Sequence, residues 1–140
     1  LRFGNNADQY FRLLEQIEKE IQRAPEDYML GIAPHSLRAV SPESLKEILN
    51  SREFGPVHIH LAEQLNEVEE IKNKYGKSPL KLLLDNANVD PRWCLVHATH
   101  MLPEETAILA KSGAVAGLCP VTEANLGDGI FSGSEYISLG

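Results

Sequence analysis

Cysteine is scarce in this 140-residue chain: Cys94 and Cys119 are the two present. Both lie in apolar runs, and they do not form a Cys-x-x-Cys pair, so no disulfide framework or cysteine-based metal motif is in view. They read as buried thiols in a reducing, cytoplasmic setting. Basic residues are outnumbered, with 13 Lys and Arg against 20 Asp and Glu, a net charge of −7. That balance argues against nucleic acid or an anionic membrane surface as a partner. No stretch approaches the roughly 20 apolar residues of a membrane span. Low-complexity segments, linkers and close internal repeats are missing as well, and so is a glycine-rich phosphate loop after a strand. What remains is an ordinary globular composition, 43% hydrophobic and 24% charged, long enough for one domain with a core. The chain opens at Leu1 directly into a helical pattern and stops at Ser138-Leu139-Gly140 in what reads as mid-fold. We therefore expect residues 1–140 to be a piece of a longer polypeptide.

Periodicity predicts the elements. Tyr10, Leu13, Leu14, Ile17 and Ile21 recur at three- and four-residue spacing, giving a helix from Asn6 to Arg23. Tyr28 to Ala33 is a short apolar run and reads as a buried strand. Ser41-Pro42-Glu43 is a helix start, serine as cap and proline at the first helical position, with Leu45, Ile48 and Leu49 inward. Val57 to Leu61 is the next strand, and a helix from Leu65 follows with Gly76 as its stop. Ser78-Pro79 repeats the start signal for a short helix to about Asn86. Cys94 to Ala98 is a third strand, Pro103-Glu104-Glu105 opens a helix ending near Gly113, and Ala114 to Cys119 is a fourth strand. From Pro120 onward the tail, rich in glycine and polar residues, reads as mostly loop. Strands alternating with helices imply parallel pairing and right-handed crossovers.

Histidine is where chemistry concentrates. His35, His60 and His97 each stand at the C-terminal end of a predicted strand. Active sites of (β/α)8 barrels are assembled there from several strands, so a barrel is favoured over an open doubly wound sheet. Neutral imidazole is a standard zinc ligand, and Glu63, three residues after His60, is placed to shuttle protons for an activated water. Two readings compete for this pair: a metal and proton-transfer site, or a hydrogen-bonded core histidine beside a helix-start glutamate. Recurrence of strand-end histidines favours the first. His97 is read as a second ligand or a hydrogen-bond donor to the substrate. His58 shares the parity of His60 and is expected deeper, as a core or supporting residue. His100 is expected to be structural. Arg38 offers a donor fork for a carboxylate, with a surface ion pair as the alternative. Glu123, Asn125 and Asp128 crowd the last loop, to hold substrate or to fix the loop; for Asp128 the second is favoured.

Four segments together resemble the amidohydrolase superfamily: Ala33-Pro34-His35-Ser36-Leu37-Arg38-Ala39-Val40, His58-Ile59-His60-Leu61-Ala62-Glu63-Gln64, Val96-His97-Ala98-Thr99-His100, and the run from Gly117 to Phe131 that contains Cys119-Pro120-Val121-Thr122-Glu123-Ala124-Asn125-Leu126-Gly127-Asp128-Gly129. Within it the similarity is greatest to the deiminases of N-formimino-L-glutamate. The resemblance implies an α/β fold, a partial (β/α)8 TIM barrel of about strands four to seven with their helices. It implies that His60 is a zinc ligand (another divalent metal is an alternative), Glu63 the proton shuttle, His97 the residue that polarises the reacting group, and His35 and Arg38 substrate-binding residues. It implies hydrolysis of a formimino to a formyl group with release of ammonia, in histidine breakdown. The expected partner is a small molecule carrying a carboxylate, and the intact protein is expected to be a homodimer. The family's first-strand His-x-His and eighth-strand aspartate are not found here, and Asp128, after strand seven, does not take the latter role. Isolated, the chain is expected to have little or no activity and two unpaired sheet edges. A sister deaminase acting on a guanine-type ring, or a non-catalytic fragment, remain as alternatives.

Overall fold

The computed structural model describes residues 4–51 and 55–140. Helix α1, Ala7–Ile21, starts at a capping box: the Asn6 side chain accepts the Gln9 N–H while the Gln9 side chain accepts the Asn6 N–H. Its inner stripe is narrower than the spacing predicts. Leu14 is buried and Tyr10 and Phe11 pack on the core, but Leu13 and Ile17 are exposed. Helix α2, Pro42–Asn50, is capped by Ser41 and buries Leu45 and Ile48, as expected.

Three parallel strands follow: β1, Val57–Leu61, β2, Trp93–His97, and β3, Val115–Gly117, ordered β1-β2-β3. Helices α3, Leu65–Tyr75, and α4, Pro79–Leu84, connect β1 to β2, and α5, Pro103–Ser112, connects β2 to β3. These crossovers are what parallel pairing requires. Val57, Ile59 and Leu61 of β1 and Trp93 and Leu95 of β2 are buried on one face. Alternation puts His58, His60, Cys94 and Val96 on the other, more open face. His58 is thus exposed, a correction to its expected place in the core, because no layer covers that face among the described residues.

The expected strand Tyr28 to Ala33 is not a regular strand. Tyr28 and Met29 are exposed, and pairing to β1 is reduced to the bridges Ile32–Val57 and Ser36–His60. Five residues, 32–36, thereby oppose four, 57–60, so the segment bulges by one. Pro34 lies within the bulge and has no N–H to offer the ladder. On either side the pairing holds: Ile32 N–H donates to Pro56 O (2.9 Å), His58 N–H to Ile32 O (2.9 Å) and His60 N–H to His35 O (3.0 Å). Gly31 permits the approach, since a Cβ there would stand 2.6 Å from Pro56 O.

The tail is more helical than its composition predicts. Helix α6, Pro120–Leu126, and helix α7, Gly133–Ser138, replace much of the expected loop. Proline at the first helical position starts α6, and Gly127 in the left-handed region ends it. The Tyr136 hydroxyl of α7 donates to Ala114 O and docks α7 at the head of β3. Beyond β3 the flank is apolar and open, with Val121, Ile130 and Ile137 exposed. Among the described residues no helix is long and apolar enough to cross a membrane.

Candidate active site

The C-terminal ends of the strands bring three predicted histidines together. The His35 and His60 rings lie 4.9 Å apart by centroid, and His60 and His97 are stacked at 5.6 Å. His60 is placed by strand alternation. Its Nδ1 is 2.8 Å from His35 O, and a carbonyl only accepts, so Nδ1 carries the proton and Nε2 is left bare.

His97 reaches the cluster by a different route. Alternation would leave it on the face of Trp93 and Leu95, but its φ is +71°. The Ala98 N–H donates to Val96 O across it (3.1 Å), closing a γ-turn that swings the ring toward His60. Such a conformation costs a non-glycine residue about 1–3 kcal/mol. Ala62 and Ala98 also have positive φ (both +49°), so unusual backbone is concentrated at the ends of β1 and β2.

Two buried glutamates hold these ends. Glu67 is 2% exposed, and its two carboxylate oxygens accept the Ala62 and Glu63 N–H groups, each at 3.0 Å. It thereby fixes the turn that carries Glu63. Glu123 sits in the first turn of α6 and accepts the Cys119 N–H (2.8 Å) and the His97 Nδ1–H (2.9 Å) on the same oxygen. Burial works to raise the Glu123 carboxyl. The Cys119 N–H, the His97 hydrogen bond and the His97 charge outweigh it, and the group sits below the ordinary glutamate range. On the opposite edge of the imidazole, His97 Nε2 stands 3.4 Å from Glu63 Oε1. His97 thus stands in a line between two carboxylates, hydrogen-bonded to Glu123 and 3.4 Å from Glu63.

The other predicted residues lie around this line. Gln64 Nε2 donates to Asp128 Oδ1 (3.0 Å), which fixes the last loop as expected for Asp128. Asn125 is exposed on α6. His35 lines a cleft of about 480 Å³ with Tyr10 and Ser44. Arg38 borders another, with Glu70 and Lys74, where its guanidinium is 3.9 Å from the Glu70 carboxylate and both groups are well exposed. Cys94 and Cys119 are half-buried and unbonded to each other. Burial, and then the neighbouring Cys119, push the Cys94 thiol up, which makes it a poor nucleophile.

Sequence reasoning missed Glu67 and the pairing of Glu123 with His97. A signal existed for Glu67, three residues past the Gln64 cap, where a carboxylate can reach back to free N–H groups. The Glu123–His97 contact spans 26 residues and has no local signature.

A metal requires bare donors in a set. His60 Nε2 fits as one, its other nitrogen being anchored to a backbone carbonyl as is usual for ligating histidines. Among the described residues no group of three or more His, Cys, Asp or Glu is arranged to hold an ion.

This arrangement has relatives. The sequence pattern of the Amidohydrolase family matches residues 4–138. The chain is 47% identical over 140 residues to formimidoylglutamate deiminase of Pseudomonas aeruginosa, covering 99% of this chain and 30% of that protein. It is 36% identical over 111 residues to 5-methylthioadenosine/S-adenosylhomocysteine deaminase 2 of Archaeoglobus fulgidus, covering 78% of this chain and 27% of that one. The crystal structure of an amidohydrolase from Brucella melitensis superposes with a TM-score of 0.94 at 51% identity, covering 99% of this chain and 31% of that one. The chain thus spans about 30% of the length of the relatives it matches. Its three-stranded sheet is the corresponding part of a TIM barrel. With a family pattern that runs over almost all of its length and strand-end histidines gathered at one pole, the chain belongs to the amidohydrolase family.

Proposed function

We propose that these residues form part of the active site of a zinc-dependent deiminase. It converts N-formimino-L-glutamate and water to N-formyl-L-glutamate and ammonia, in the breakdown of histidine. The observation that carries this reading is the 47% identity to a formimidoylglutamate deiminase along 99% of the chain.

The geometry gives each residue a task in this reading. His60 Nε2 serves as one ligand of the ion, with the remaining ligands supplied by the rest of the longer protein. A bound divalent cation supplies Lewis-acid activation of water. Glu63, held by Glu67, takes a proton from the attacking water as its oxygen bonds to the formimino carbon. It returns that proton to the terminal nitrogen. The second water proton follows as the C=O forms, the C–N bond breaks and ammonia leaves. His97 stabilises the tetrahedral species as a hydrogen-bond donor once a proton is on Nε2. Arg38 receives the substrate carboxylate, and His35, its ring 4.9 Å from that of His60, contacts the substrate nearer the ion. For this Arg38 must turn from Glu70, and an exposed 3.9 Å ion pair holds it by at most about 1 kcal/mol.

A second reading, a deaminase of a purine-type ring, draws on the 36% identity to the Archaeoglobus fulgidus deaminase. A segment swap separates the two. The matching segment of the Pseudomonas aeruginosa enzyme is replaced by these 140 residues, and ammonia release is measured. We expect release from N-formimino-L-glutamate and none from 5-methylthioadenosine or guanine. Release from a ring substrate alone supports the second reading. A folded, zinc-loaded swap that turns over neither supports a non-catalytic segment.

A further inference from the structure

We propose that Glu123 is a positioning residue for His97: its carboxylate accepts a hydrogen bond from Nδ1–H, which keeps the proton on that nitrogen, and leaves Nε2 as the atom that faces Glu63 and the reacting group. The proposal deepens the reading of His97 given above, and its kinetic arm rests on that reading. Its structural arm does not.

The backbone explains why such a residue is needed. The γ-turn at His97 brings the ring across from the helix-covered face to a position 5.6 Å from the His60 ring. A turn fixes where the side chain leaves the backbone, but it does not fix the tautomer. Neutral imidazole in water favours the proton on Nε2, which would point a donor at Glu63 and leave Nδ1 bare.

Glu123 reverses that preference. Its Oε1 lies 2.9 Å from Nδ1, and an ionised carboxylate only accepts. The Cys119 N–H, at 2.8 Å from the same oxygen, keeps the carboxylate from moving. Both partners are buried, His97 at 3% and Glu123 at 9% exposure, so water does not compete for the bond. Nε2 is then the ring nitrogen that faces Glu63 Oε1, at 3.4 Å. Cys119 ends the segment after β3, so one carboxylate couples the ends of two neighbouring strand units.

The competing explanation is that Glu123 only caps α6 through the Cys119 N–H. Imidazole nitrogen NMR on the histidine-labelled chain distinguishes the two. In the singly protonated ring we expect the His97 proton on Nδ1 in the native chain and on Nε2 in Glu123→Ala. A native His97 protonated on Nε2 alone overturns the proposal without recourse to any variant. The same tautomer in native and Glu123→Ala chains also overturns it. In the segment-swapped enzyme, Glu123→Ala removes the acceptor of both the Cys119 N–H and the His97 Nδ1–H, and Glu123→Gln restores an oxygen that can accept both. We expect kcat to fall by about tenfold or more in Glu123→Ala with KM within about twofold, and to recover most of that loss in Glu123→Gln. An unchanged kcat in Glu123→Ala overturns the proposal. A swap inactive on N-formimino-L-glutamate from the outset would defeat the substrate reading and leave the tautomer result standing.

Discussion

The ends of β1 and β2 solve one problem in two ways. Each carries backbone of positive φ, at Ala62 for β1 and at His97 and Ala98 for β2, and each is held by a buried glutamate from a following helix. At the end of β1 the clamp is local. Glu67 reaches back four and five residues and grips two backbone N–H groups. At the end of β2 the clamp is remote. Glu123 comes from the next strand unit and grips a side chain. The local clamp shapes the turn that presents Glu63, and the remote one selects which nitrogen His97 presents. A local clamp is complete once one strand–helix unit has folded. A remote one exists only when neighbouring units are docked in register.

The largest effect is expected where the two ends meet. In the segment-swapped enzyme, Glu63→Gln should lower kcat by about 10²- to 10⁴-fold with zinc retained. Ammonia release and metal analysis check both halves of that expectation, and full activity would remove Glu63 from the scheme.

The local clamp comes next. Glu67→Ala leaves two buried N–H groups without an acceptor, at about 1–3 kcal/mol each. We expect a loss of about 2–5 kcal/mol in urea unfolding of the chain. Glu67→Gln, which keeps one acceptor oxygen, should lose roughly half as much. Equal stabilities for Glu67→Ala and the native chain would mean that the turn holds itself.

Arg38→Ala touches neither clamp and serves as a contrast. Stability should move by less than about 0.5 kcal/mol, since the Glu70 pair is exposed and 3.9 Å long. KM for N-formimino-L-glutamate should rise by about tenfold or more if the guanidinium receives its carboxylate. Unchanged KM would return Arg38 to the surface.

The smallest effect is the acid dependence of the remote clamp. Glu123 is depressed in the folded chain, so its contribution is intact above the unfolded glutamate pKa of about 4.3 and is lost as pH falls through the folded value. Urea unfolding from pH 6 to pH 3 should therefore show a stability loss in the native chain that is smaller in Glu123→Gln. Parallel curves would separate the Glu123 charge from stability.

Much of this was legible in the sequence. The 2-residue alternation of β1 and the serine–proline starts of α2 and α4 are local patterns, and they placed His60 and both helices correctly. The Pro34 bulge was not legible, since an apolar run gives no sign that its ladder will slip by one residue. Helix α6 was hidden by glycine and polar residues, although proline at its first position, after Cys119, is itself a start signal. The hardest case was His97. It was expected at the site from its strand-end place, yet by alternation alone it would face the wrong side. A γ-turn brings it round, and nothing in Val96-His97-Ala98 announces one.

The central claim is that the strand-end imidazoles of this chain serve one site. Anomalous X-ray diffraction at the zinc edge, on crystals of the segment-swapped enzyme, tests it most directly. We expect a single peak about 2.0–2.1 Å from His60 Nε2, on the side of the site bordered by Glu63 and His97. A zinc peak bound away from His60, or one from which Glu63 and His97 both turn away, would contradict it.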